Sequence, residues 1–180
     1  TPYSGGYQDI LDIFSSKWLV EEKRYRSMIE NYFDVYVGEI LDRLDHHNLA
    51  SDTLVIFTSD NGPGTDVIYP NQSPSLVHSK ETFESTAGLR GMKRELFEGG
   101  IRTPFVARWP GTIQPGSVSN QMVGLFDIIA TFTQVAKVPE LTPQESTSIS
   151  FLPTLLGLTP SVVRDFYIGS FCEVQGNNWD

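Results

Sequence analysis

Two stretches of this sequence carry residue types that could do chemistry together. In Ser59-Asp60-Asn61-Gly62-Pro63-Gly64 a carboxylate stands beside a carboxamide. Hard cations take oxygen donors of this kind, one of them charged, held on rigid backbone. Asp-Asn-Gly runs also form Asx turns and helix caps, and by itself this run favours the turn. The second stretch, Gly88 to Arg108, carries Arg90, Lys93, Arg94, Arg102 and Arg108 against only Glu95 and Glu98. On charge alone it reads as a solvated basic loop. Its glycines, before the cations and again at Gly99-Gly100, permit positive φ and close backbone approach. Lys93 supplies a compact positive charge suited to neutralising sulfate or phosphate oxygens. Arg90 could do the same or pair with a glutamate. Arg102 and Glu98 are expected to form an ion pair that fixes the loop.

The elements that must position these residues are legible on either side. From Lys23 to His46 apolar residues recur at Tyr25, Met28, Ile29, Tyr32, Phe33, Tyr36, Val37, Ile40, Leu41 and Leu44, which predicts an amphipathic helix. Thr53 to Thr58 is short, β-branched and almost wholly apolar, as expected of a parallel strand buried on both faces. Asp60 and Asn61 then lie at its carboxyl end, where open α/β sheets place ligands. Residues 65–87 are aperiodic and read as a long loop, a kind of segment that is often functional. Thr103 to Trp109 reads as a second strand, with Pro104 at its start where no ladder donor is needed. Gly124 to Val138 is expected to be helical, with Leu125, Ile128, Ile129, Phe132 and Val135 on one side and Pro139 as its stop. Ile149 to Gly157 reads as a short apolar turn of helix.

Composition narrows the function classes. The 180 residues carry a formal net charge of −9, which argues against nucleic-acid binding through phosphate neutralisation. No run of apolar residues is long enough for a membrane span. Cys172 is the only cysteine, so neither an internal disulfide nor a thiolate zinc site is expected. Thr1 to Gly6 includes no initiator Met, basic n-region or apolar h-region, and the chain is expected to begin partway through a longer protein.

Four motifs in order carry a specific resemblance. Thr58-Ser59-Asp60-Asn61-Gly62, Leu89-Arg90-Gly91-Met92-Lys93, Glu98-Gly99-Gly100-Ile101-Arg102-Thr103-Pro104 and Trp109-Pro110-Gly111 resemble the successive signatures of formylglycine-dependent (type I) sulfatases, arylsulfatase-like members of the alkaline phosphatase superfamily. Asp127 sits in a segment similar to that family's Asp-x-x-x-Thr helix. Thr147-Ser148 departs from it, since many relatives have Asp-Gly there. The resemblance implies an α/β fold: a partial alkaline-phosphatase-like sheet with flanking helices, lacking the N-terminal part of the domain. Residues 1–157 would be the C-terminal part of the catalytic domain, and 158–180 the truncated start of a C-terminal subdomain.

The same resemblance implies a role for each residue. Asp60 and Asn61 would be ligands of a calcium ion, and Lys93 would be both catalytic and sulfate-binding. Arg90 and His78 are weaker substrate-binding candidates; His78 lies in the loop between the motifs, where a solvated histidine is the plainer reading. His46 and His47, at the end of the long helix, read as complements to its dipole. The family nucleophile, a formylglycine made within Cys/Ser-x-Pro/Ala-x-Arg, has no such motif here, since Cys172 is followed by Glu173-Val174-Gln175. It is expected in the N-terminal part of the same domain, and the 180 residues alone are expected to be inactive. The implied substrate is an aryl or carbohydrate sulfate ester, and the implied location is extracytoplasmic: periplasmic, secreted or lysosomal. Two alternatives stand beside this reading: a phosphodiester or phosphonate monoester hydrolase of the same superfamily, and a non-catalytic remnant of the fold.

Overall fold

The computed structural model describes residues 26–27, 29–64, 84–143 and 146–166. The chain forms two compact units: Thr1–His47 with Asn61–Thr103, and Asn48–Asp60 with Pro104–Asp180. His78, Cys172 and the first residues of the expected long helix lie outside the described residues.

In the first unit the amphipathic stripe does form a helix. A π-turn, Ile29–Phe33, runs directly into α1, Asp34–His46. Because the chain is already helical at Phe33, no side chain caps the start of α1. Asp34 in the first turn and Arg43 and His46 in the last complement the helix dipole. His47 N donates to Arg43 O at 3.1 Å, and the chain leaves α1 through Asn48 at φ 56°, a left-handed position that asparagine tolerates. Arg26 and Glu30 pair one turn apart just before it. The stripe is only partly covered: Val37, Leu41 and Leu44 are half-buried, whereas Phe33, Tyr36 and Ile40 are exposed. The same unit contains the short helix α2, Glu98–Ile101.

In the second unit a 3-10 turn, Ala50–Asp52, leads into β1, Val55–Thr58, which pairs with β2, Phe105–Arg108. The pairing is antiparallel, in the register Val55↔Arg108, Ile56↔Ala107, Phe57↔Val106 and Thr58↔Phe105. The expectation of a parallel strand buried on both faces is therefore not met. Phe57 and Val106, opposite one another, are 39% and 59% exposed. An apolar β-branched run specifies a strand, but neither the direction of its neighbour nor what covers its faces. Trp109 Nε1 donates to Ser51 O at 2.7 Å, tying the end of β2 to the turn before β1.

Helix α3, Asp127–Val135, buries its apolar stripe only in part: Asp127, Ala130 and Thr131 are buried and Ile128 and Val135 half-buried, while Leu125, Ile129 and Phe132 are exposed. The reason is a polar knot. Asp127 is 1% exposed; its Oδ2 accepts from Gly124 N at 2.8 Å, and its Oδ1 accepts from Ile149 N at 2.8 Å and Arg164 Nη2 at 2.6 Å. The Arg164 guanidinium also donates to Thr147 O and lies 4.6 Å from the centroid of the Phe126 ring. Thr131 Oγ1 donates to Asp127 O and accepts from Phe151 N, and the Phe151 ring meets Phe105 of β2 edge-on at 5.5 Å. Helix α4, Leu152–Leu155, follows directly. No helix among the described residues is long and apolar enough to cross a membrane.

A buried pair that loses one member leaves an uncompensated charge, so breaking it costs far more than the pair contributes. Asp127→Ala is therefore expected to lower stability by about 3 kcal/mol. The check is the midpoint of urea denaturation, and a loss within the error of the measurement would refute the central role of this pair.

Candidate active site

The loop of cations is built on backbone contacts that admit no side chain. Gly62 N donates to Gly100 O at 2.8 Å. A Cβ on Gly62 would lie 2.0 Å from Gly99 O, one on Gly99 would lie 2.2 Å from Gly91 O, and one on Gly100 would lie 2.2 Å from Glu95 O. Real Cβ atoms do not approach backbone oxygens that closely, so only glycine fits at these three positions. Asp60-Asn61-Gly62 is thus not closed into a local Asx turn through Gly62: the Gly62 N–H is used across the chain at Gly100.

This junction places Lys93. Its N–H donates to Pro63 O at 2.9 Å, and its aliphatic stem lies beside Gly64, where a Cβ would meet Lys93 Cδ at 3.4 Å. Lys93 is exposed, so its ammonium stays hydrated and able to meet an anion. Asn61 is half-buried, and its Nδ2 donates to Gly62 O at 2.9 Å. Asn61 and Lys93, one on each side of the junction, are thereby brought together within one unit. Asp60, one peptide bond before Asn61, belongs to the unit of β1 and is exposed, with Ser59 Oγ at 3.4 Å from its Oδ1. Among the described residues there is no cluster of three or more His, Cys, Asp or Glu side chains that could hold a metal.

The remaining cations of the loop divide as their surroundings dictate. Arg102 Nη1 lies 3.1 Å from Glu98 Oε2, as expected, across one turn at α2. Both side chains are about two-thirds exposed at 65% and 62%, so the pair orders the loop more than it stabilises the fold. The Arg90 guanidinium stacks 3.5 Å from the centroid of the Phe97 ring, while Arg90 O accepts from Gly99 N at 2.7 Å. The Arg90–Phe97 stack was not legible beforehand, because a seven-residue separation in an aperiodic loop carries no periodic signal. Two further features escaped the sequence reading: Arg94 at φ 78°, and the bond from Met92 N to Glu95 Oε2 at 3.1 Å.

Within the first unit, then, a half-buried carboxamide and an exposed lysine lie on two segments joined by backbone hydrogen bonds. The sulfatase family pattern matches residues 23–138, and this chain belongs to the sulfatase family. It is 36% identical over 128 residues to the N-acetylgalactosamine-6-O-sulfatase of Bacteroides thetaiotaomicron, covering 69% of this chain and 24% of that protein. It is 35% identical over 130 residues to human steryl-sulfatase, covering 71% and 21% respectively. The chain thus spans under a quarter of the length of these relatives. Among solved structures, the PsFucS1 sulfatase from Pseudoalteromonas sp. aligns with a TM-score of 0.56 at 32% identity, over 71% of this chain and 23% of that one. A second, Ps i-CgsB in complex with k-i-k-neocarrahexaose, aligns with a TM-score of 0.57 at 24% identity, over 73% and 26%, a likeness of fold alone. The fold is accordingly part of the alkaline-phosphatase-like α/β architecture.

The junction makes contrasting demands on two glycines. Gly100→Ala drives a methyl group into Glu95 O and is expected to cost about 2–3 kcal/mol, as overpacking does. Gly38, inside α1, has nothing within 4 Å of its would-be Cβ and no positive φ, so Gly38→Ala is expected to stabilise by about 0.5–1 kcal/mol. Thermal unfolding of both variants measures the contrast, and shifts of the same sign would contradict it.

Proposed function

We propose that the protein to which this chain contributes hydrolyses sulfate monoesters, with Lys93 as the sulfate-binding and charge-stabilising cation. The observation that carries this reading is the glycine junction, which holds the Lys93 backbone against Pro63, two residues from Asn61. In sulfate ester cleavage negative charge grows on the bridging oxygen and spreads over the sulfuryl oxygens. A fixed ammonium lowers the barrier by meeting that charge without reorganising. Arg90, stacked on Phe97, is assigned to shaping the loop wall ahead of touching substrate.

Asp60 and Asn61 are proposed as two ligands of a calcium ion. A carboxylate and a carboxamide fit calcium as hard oxygen donors, and with Asn61 Nδ2 committed to Gly62 O, the amide oxygen is the atom suited to a cation. When bound, calcium would act as a Lewis acid on the sulfate oxygens. The nucleophile, a formylglycine by resemblance, is assigned to residues outside these 180. An extracytoplasmic location is proposed with it, where calcium is plentiful enough for a site of few charges. The substrate is proposed to be an aryl or carbohydrate sulfate, a class that takes in the amino-sugar sulfate named for the bacterial relative. The relatives matched carry sulfatase names, so the phosphodiester or phosphonate alternative is not favoured.

In the full protein, Lys93→Ala is expected to lower kcat/KM for 4-nitrophenyl sulfate by about a hundredfold or more, the range for removing one charge-stabilising donor. Asp60→Ala is expected to raise the calcium concentration needed for half-maximal rate. Undiminished turnover in Lys93→Ala would remove the assignment of that residue, and a wild-type protein inactive on both 4-nitrophenyl sulfate and carbohydrate sulfates would remove the proposed activity.

A further inference from the structure

The turn that carries Lys93 is closed twice. Glu95 N donates to Met92 O at 2.9 Å, the bond of an ordinary four-residue turn, and Met92 N donates to Glu95 Oε2 at 3.1 Å. Lys93 and Arg94 form its tip. The third position of such a turn is occupied by Arg94 at φ 78°, a conformation that glycine adopts freely and a long side chain does not. The turn is therefore strained at its tip, and the single backbone bond from Glu95 N to Met92 O is opposed by that strain. The carboxylate supplies a second closure. Space for it comes from Gly91, at φ 87°, where a Cβ would lie 3.0 Å from Glu95 Oε2 and 2.7 Å from Phe97 Cβ.

Electrostatics makes the placement informative. A carboxylate two residues from an anion-binding ammonium opposes the anion through like charge. Turned back onto the Met92 N–H, it is engaged on the backbone and still fixes the loop. Lys93 is thus anchored from two directions: from outside by its own N–H on Pro63 O at 2.9 Å, and from within the turn by the Glu95 closure.

We propose that Glu95 is a positioning residue for Lys93: its carboxylate, by accepting the Met92 N–H, holds the strained Met92–Glu95 turn shut and fixes the ammonium beside the Asn61–Gly64 segment. The ligand of that ammonium rests on the sulfatase reading above; the closure of the turn does not. The acceptor, and not the charge, is what the role requires.

The test uses the full protein, with two readouts: hydrogen exchange at the Met92 and Lys93 amides, and calorimetric binding of inorganic sulfate in the presence of calcium. Glu95→Ala is expected to speed exchange at both amides and to weaken sulfate binding, each by about tenfold, the scale of one lost hydrogen bond to a charged acceptor. Glu95→Gln, whose amide oxygen can accept the same bond, is expected to keep both within about threefold. Arg94→Gly relaxes the tip, so adding Glu95→Ala to it should change exchange much less than Glu95→Ala does alone. Wild-type exchange in Glu95→Ala, or equal damage from Glu95→Gln and Glu95→Ala, would overturn the proposal. Should the wild-type protein not bind sulfate, the proposed function fails, and the exchange ratios alone uphold or overturn the role of Glu95.

Discussion

Gly62 and the Gly99-Gly100 pair touch through backbone alone, and the placement of every candidate side chain in this loop follows from that contact. Where two main chains meet with a hydrogen bond of 2.8 Å and no room for a methyl group, neither segment can slide or tilt without breaking it. Side-chain packing tolerates rotamer changes, whereas a contact between backbones does not. The consequence is positional: the segment after Asn61 and the segment before α2 become one rigid piece, and Lys93 rides on it. The root of the flexible four-carbon Lys93 side chain is thereby fixed, whatever its tip meets.

The second unit is organised by a different means, a buried polar node. Asp127 gathers donors from Gly124, Ile149 and Arg164 at one carboxylate, and Thr131 relays from the same helix to Phe151. With Asp127 inward, Ile129 and Phe132 of α3 are left exposed while Ile128 and Val135 stay half-buried. Burying a carboxylate is costly unless it is fully hydrogen-bonded and paired, and this one is both. The node also ties Arg164, well beyond the core strands, to the start of α3.

Much of this could be read along the chain. The helix ending at His46, both strands, the helix at Asp127 and the Glu98–Arg102 pair were each written in local patterns of three to seven residues. What misled was the assumption that apolar pattern equals covered face. Leu125, Ile129 and Phe132 satisfy a helical stripe, yet polar partners 22 and 37 residues from Asp127 decided which face went in. The antiparallel direction of β1 and β2 is hidden for a related reason: composition says that each is a strand, while their relative direction is a property of the connection and not of the strand.

By itself, then, the sequence determined which family the chain joins and which residue types stand at each motif, because motif chemistry depends on side chains close together along the backbone. Tertiary structure alone decided the antiparallel register, the inward face of α3, the glycine-to-glycine junction and the left-handed Arg94. Each of these is settled by contacts or backbone angles that residue identity permits but does not require. Gly62 allows Gly100 to approach; only the fold makes it do so.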